Sequence, residues 1–220
     1  HLKSNYSVSE IKHMSMEENE DEASKVIAPE RTKAVPRFRK GVDEEVKGTL
    51  RGTAYHRFFE ILNYDCCKDY NSIEKYLKTS VAAGKISEEY AGLINLKRFE
   101  EFLQTDLGKR MGSAYKKGLL FREQPFIMEL GADMIDKEYP SDEKILVQGI
   151  VDAFFFENDK VYIVDYKTDR VEQGKAGEKA LVERYHKQLE LYADTISRVT
   201  GKETGGCYIY STCLKKEILI

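Results

Sequence analysis

The segment 144–169, KILVQGIVDAFFFENDKVYIVDYKTD, constrains this chain more than any other. Two runs rich in β-branched and aromatic residues flank Asn158-Asp159, which reads as two strands around a tight turn. If those two residues form a two-residue hairpin loop, residue 157 faces 160. Counting outward, Asp152 then falls opposite Asp165. Opposed residues on one sheet face have Cβ atoms about 4.5–5.5 Å apart. Lys167, two residues beyond Asp165, projects from the same face. Turn and alternation therefore converge two carboxylates and one amine on a single spot.

Two opposed carboxylates repel, and a fold that places them together usually supplies a cation. Hard oxygen donors favour Mg²⁺ or Mn²⁺. Such an ion polarises a phosphoryl oxygen and lowers the pKa of a bound water. A nearby lysine orients that water or stabilises charge developing on the phosphate. The set suffices for phosphodiester hydrolysis. Spacing alone fits equally well a solvent-facing hairpin with an ordinary cross-strand salt bridge between Asp and Lys.

The rest of the chain surrounds this hairpin with helices and further strands. EQPFIMEL is expected as a strand before it, a helix over about 178–199 after it, and GGCYIYS and KKEILI as two final strands. Gly201 is placed to end the helix. Upstream, Thr53 is expected to cap a helix AYHRFFEIL whose Tyr55, Phe58, Phe59 and Leu62 form an apolar stripe. Residues 72–116 read as several helices (SIEKYLKTSVAA, SEEYAGLINLKRFEEFLQ, TDLGKRMGSAYKK) with Ser87 and Thr105 as caps. Ser7–Lys12 reads as a short helix entry. Residues 15–25 are acidic and almost free of apolar side chains, so a mobile surface loop is expected there. The chain divides into an N-terminal extension, 1–48, packing on a main domain, 49–220, that carries the helical insert at about 72–116. The pattern gives an α/β fold.

Composition excludes some roles. With 35 Lys and Arg against 38 Asp and Glu, the net charge of −3 argues against a protein that coats nucleic acid, leaving only a local basic channel. No apolar run is long enough to span a membrane, and no secretory leader is present, which points to the cytoplasm. The start at His1, inside a polar stretch, suggests a piece of something longer. Cys66, Cys67, Cys207 and Cys213 lack any C-x-x-C spacing and are expected as reduced thiols, the last two sharing strand parity.

The hairpin GIVDAFFFENDKVYIVDYKTD resembles motifs II and III of the PD-(D/E)XK nuclease superfamily, in its RecB-like branch. GTAYHRFFE resembles the histidine-bearing first motif of that branch, REQPF its glutamate-bearing strand, and YHKQLELYA its final helix motif, all in the right order. The opening YSVSEIK matches too, so the likeness covers nearly the whole chain. It implies a restriction-endonuclease-like mixed central sheet flanked by helices, with 49–220 as the nuclease domain. It also implies that His56, Asp152, Asp165 and the Tyr166 carbonyl ligate Mg²⁺, with Mn²⁺ able to substitute. Lys167 would be the catalytic lysine, Glu123 would stand at the edge of the site, and Gln188 and Tyr192 would touch substrate, with Tyr185 a weaker candidate. Without the motifs, a lone helical His56, a polar shoulder at Gln188 and Tyr192, and a Glu123 paired to Arg122 or Lys117 are all ordinary. Some related branches hold an iron–sulfur cluster on four cysteines; the spacing here departs from theirs, and none is expected.

The resemblance further implies a helicase–nuclease of the bacterial cytoplasm, associated with the nucleoid, that processes double-strand breaks for recombinational repair. Its partners would be a single DNA strand from an unwound duplex, a helicase region N-terminal to this sequence, and an AddB-like second subunit. No P-loop (G-x-x-x-x-G-K-[ST]) is present, so ATP hydrolysis is expected outside this sequence. Two rival readings are a catalytically idle nuclease fold used for docking or strand guidance, and a stand-alone RecB-like nuclease acting on RNA or short single strands. Nothing in the sequence reads a sugar 2′-OH.

Overall fold

The turn at Asn158-Asp159 organises the sheet. In the computed structural model, which describes residues 5–8, 40–132 and 142–220, both turn residues have positive φ, 51° and 64°. That is the backbone of a two-residue type I′ turn, whose twist matches the strands it joins. It connects β3 (Lys144–Glu157) to β4 (Lys160–Lys167), with Glu157 paired to Lys160 and Ala153 to Val164. The pairing follows the register that the spacing predicts as far as Ala153 and Val164, and stops one step short of Asp152 and Asp165.

Six strands make one mixed sheet. β2 (Leu120–Gly131) runs antiparallel along one edge of β3. The opposite edge of β3 is shared: β4 pairs with residues 153–157, and β1 (Asn5–Ser7) pairs in parallel with 146–148. Asp152 lies between those two stretches. Beyond β4, the sheet continues through β5 (Thr204–Ser211), parallel to it, to β6 (Lys216–Leu219), antiparallel to β5.

Helices cover both faces, so the flanked mixed sheet expected from the sequence is what the chain forms. On one face lie α1 (Lys40–Ile61), α2 (Tyr70–Ala82), α3 (Glu88–Leu93), α4 (Leu96–Gln104) and α5 (Asp106–Lys116). Their core is aromatic: Phe58, Phe59, Phe99 and Phe102 pack with Tyr166 and Tyr210 of the sheet. Phe59 stacks flat on Tyr166 at 3.8 Å between ring centroids, 2° from parallel. On the other face lies α6 (Lys175–Thr200), whose Leu181, Leu189 and Ile196 pack on Val147, Ile163 and Ile209. It ends at Gly201, with φ of 66°, a left-handed cap that glycine adopts without Cβ strain. Among the described residues, no helix is long and apolar enough to cross a membrane.

Several local expectations hold. Tyr55, Phe58, Phe59 and Leu62 are buried as one stripe. Ser87 accepts from the Tyr90 N–H, and Thr105 from the Gly108 N–H, as N-caps. Others need correction. The helix bearing His56 is already formed at Lys40, so Thr53 lies inside it and its hydroxyl donates to the Thr49 carbonyl. The helix runs through Gly52 because it crosses the end of β4 closely: a Cβ there would lie 3.3 Å from Thr168 Oγ1. The boundary between 48 and 49 accordingly falls within one helix. The middle helix of the insert breaks at Ile94 and Asn95, where the backbone is extended and the Asn95 side chain accepts from the Lys97 N–H to cap α4.

At the N-terminus, Asn5–Ser7 is a strand, with Tyr6 and Val8 alternating into the second core. Val8 is helical, in keeping with the helix entry expected there, while Ser9–Lys12 and the acidic loop at 15–25 lie outside the described residues. Cys213 sits in the turn after β5 rather than on a strand, because the Ser211 hydroxyl and carbonyl accept from Leu214 and Lys215 and close that turn. All four cysteines are free thiols.

The aromatic core is what locks α1 to β4. Phe59→Ala should cost about 3–5 kcal/mol in urea unfolding, whereas Ile127→Ala, at a position 71 % exposed, should stay within about 0.5 kcal/mol.

Candidate active site

Asp152 is where the strand pairing opens. Its Oδ2 accepts the Tyr166 N–H at 2.8 Å and lies 3.3 Å from His56 Nδ1. A side-chain oxygen here serves a backbone donor that the strand ladder would otherwise pair. α1 brings His56 to the opening from the aromatic face, one turn before Phe59 and Glu60.

Glu123 reaches the same place from β2. The β2–β3 register skips only the 123–152 pair, and Glu123 has φ of 49°, a left-handed conformation uncommon for a residue with a Cβ. Facing slips by one on both strands at this level. Ala153 and Phe155 point to the aromatic core, but Ile145, Val147 and Val151 point to the other. On β2, Arg122 turns toward α1 and donates to the Leu62 carbonyl, whereas Phe126 and Met128 pack on the α6 side. Arg122 therefore does not pair with Glu123. One ligand atom each of His56, Glu123 and Asp152 lie within 4.8 Å of one another, the one such group among the described residues.

A second cluster stands on the α6 face. Asp165 is fully buried, and its Oδ2 lies 2.6 Å from Lys167 Nζ in an ion pair. Its Oδ1 accepts from Gln188 Nε2 at 3.3 Å, and the same nitrogen donates to the Tyr192 hydroxyl at 2.8 Å. Lys167 Nζ stands 4.1 Å over the Tyr185 ring, a cation–π arrangement. The Tyr185 hydroxyl donates to Asp169, which also pairs with Arg184 at 2.7 Å. Tyr166, between Asp165 and Lys167, points its ring the opposite way into the aromatic core, so alternation holds the two charged neighbours on one face.

The structure groups the candidate side chains in a way that local pattern did not reveal. His56 and Asp152 converge with Glu123, while Asp165 is held by Lys167 and Gln188. Asp169 escaped the sequence reading, although the parity 165, 167, 169 in DYKTD would have put it on the same face.

Electrostatics couples the two clusters. Burial opposes charge on His56, but the hydrogen bond and charge of Asp152, aided by the charge of Asp165, raise its pKa above the usual histidine value. Burial, then the charge of Asp152, pushes the Glu123 carboxyl up to about 7. Burial also raises Asp165 above the ordinary carboxylate range, against the pull of Lys167. The donor set suits a hard divalent cation: the carboxylate oxygens of Glu123 and Asp152 and one imidazole nitrogen, with the Asp165 carboxylate close by.

This fold and this arrangement belong to a known class. A model of the PD-(D/E)XK nuclease superfamily matches residues 31–217, and the chain belongs to that superfamily, whose members use a divalent metal. Within it, the chain is 34% identical, over 99% of its length, to an ATP-dependent helicase/nuclease subunit of the AddA type from Clostridium perfringens. Proteins of the same name from a Thermoanaerobacter species and from Lachnoclostridium phytofermentans are 35% and 30% identical over 96% and 91% of the chain. The chain spans 16–18% of the length of these relatives.

Each raised pKa means that the folded chain binds protons more tightly than the unfolded one, so stability falls as pH rises. For Glu123 the loss runs from 4.5, its ordinary value, to about 7; for His56 it begins at 6.5. The melting temperature of the metal-free chain should therefore be lower at about pH 8 than at about pH 5.5. Glu123→Gln should shrink that difference, and a melting temperature that climbs over the interval would contradict the assignment.

Proposed function

We propose that this chain is the DNA-cleaving domain of an AddA-type helicase–nuclease, hydrolysing phosphodiesters of a strand unwound from a broken duplex end with Mg²⁺. The observation that carries this reading is the convergence of His56, Glu123 and Asp152 beside the Asp165–Lys167 pair, in a chain of this superfamily. His56, Asp152 and Asp165 would hold the cation, with the Tyr166 carbonyl as a further ligand and Glu123 at its edge. When bound, the ion polarises a phosphoryl oxygen and makes a water more acidic, and Mn²⁺ fits the same donors.

The remaining chemistry falls to the chain itself. Lys167, with its side chain 11% exposed, presents a largely desolvated ammonium between Asp165 and the Tyr185 ring. There it donates to the attacking water or to a phosphate oxygen as charge develops. Gln188 orients Asp165 through one amide hydrogen and is itself held by Tyr192. Their contacts, like that of Tyr185 with Lys167, support a role in positioning the charged groups as well as in touching the strand. The partners of such a domain are the single strand, a helicase region preceding it, and an AddB-like protein, in the bacterial cytoplasm during recombinational repair.

Calorimetric titration of Mn²⁺ paired with degradation of single-stranded DNA tests the reading. Asp152→Ala should weaken Mn²⁺ uptake by at least about ten-fold and abolish cutting. Lys167→Ala should keep the ion but lower cleavage by about 100-fold or more. Undiminished uptake by the first variant, or full activity of the second, would remove the mechanism.

A further inference from the structure

The helical insert has no part in the chemistry above, yet the loop between α2 and α3 forms one wall of a cleft of about 320 Å³ beside the metal-ligand group. The facing wall is α1, through Thr53, His56 and Arg57, and Glu123 lies at the end. His56 and Glu123 thus belong both to this cleft and to the convergent trio. The loop is fastened to α1: Arg57 Nε donates to the Lys85 carbonyl at 2.8 Å. The same guanidinium pairs with Glu60 at 2.5 Å, neutralising an acidic side chain on that wall. Two groups remain for a ligand. Lys85 is exposed, and Tyr90 is half-buried, packing partly against the aromatic core while lining the cleft.

The volume lies at the low end of the roughly 300–1,000 Å³ typical of small-ligand sites. A strand whose phosphodiester reaches the trio must carry its neighbouring nucleotide past one side of that group, and this cleft adjoins it. An aromatic ring accepts any base by stacking, and a lysine neutralises a phosphate without reading sequence.

We propose that this cleft receives the nucleotide next to the scissile phosphodiester, with Tyr90 stacking on its base and Lys85 pairing with its outer phosphate. The proposal rests on the reading of the chain as a DNA-cleaving domain and gives the insert a share in holding the strand.

The test is fluorescence anisotropy of a labelled single-stranded oligonucleotide with Mn²⁺, in a Lys167→Ala background whose slowed cleavage leaves the strand intact over the measurement. Tyr90→Ala should weaken binding about ten-fold and Tyr90→Phe less than about two-fold. Lys85→Ala should lower the slope of log affinity against log salt by about 0.7, the value for one single-strand phosphate. Mn²⁺ titration and thermal melting of the same proteins should match the background. Unchanged affinity in Tyr90→Ala together with an unchanged salt slope in Lys85→Ala overturns the proposal. These affinities are read without cleavage, so they are separate from whether the wild-type chain cuts the strand.

Discussion

The hydrogen bond from the Tyr166 N–H to the Asp152 carboxylate ties the fold to its chemistry. Along β3 and β4 the backbone ladder satisfies each strand until Ala153 and Val164. A buried amide beyond that point still needs an acceptor, and a carboxylate oxygen supplies it through a charge-assisted bond. The strands can then part without leaving an orphan donor. The gap so created, on the edge of β3 between its β1 and β4 partners, admits His56 from one face and the Asp165–Lys167 pair from the other. The group that ends the pairing is the one on which the two clusters converge.

Three acidic groups, Glu123, Asp152 and Asp165, meet one lysine and one histidine in that gap. Carboxylates taken out of water favour the protonated form unless a cation compensates. Burial, with the charge of Asp152 beside them, holds the Glu123 and Asp165 carboxyls above the ordinary carboxylate range. The aromatic packing of Phe59 on Tyr166 keeps the backbone in place against that cost.

Much of this is legible in the chain itself. The hairpin can be read because a two-residue turn fixes register by counting, and alternation then sorts Asp165, Tyr166 and Lys167 to their faces. The caps at Ser87 and Thr105 can be read because capping is a local bond between near neighbours. The start of α1 cannot: Thr53 and Gly52 look like a helix entry, and only the close crossing of the β4 end explains a glycine inside the helix. Likewise Asn5–Ser7 offers too few residues to declare a strand, and it becomes one through pairing with Leu146–Gln148.

Local pattern alone dictates the tight turn and the antiparallel register from 157 and 160 back to 153 and 164, the helical character of the insert, and the order of the motifs that resemble the superfamily. Those features rest on periodicity and turn geometry, which act over a few residues. It takes the assembled fold to join Glu123 to His56 and Asp152, to hold Asp165 between Lys167 and Gln188, and to set the insert against the site. These juxtapositions join residues dozens of positions apart and depend on where the sheet slips its facing and opens. Such a break follows from the competition between backbone pairing and side-chain packing across the whole domain, and no local pattern encodes it.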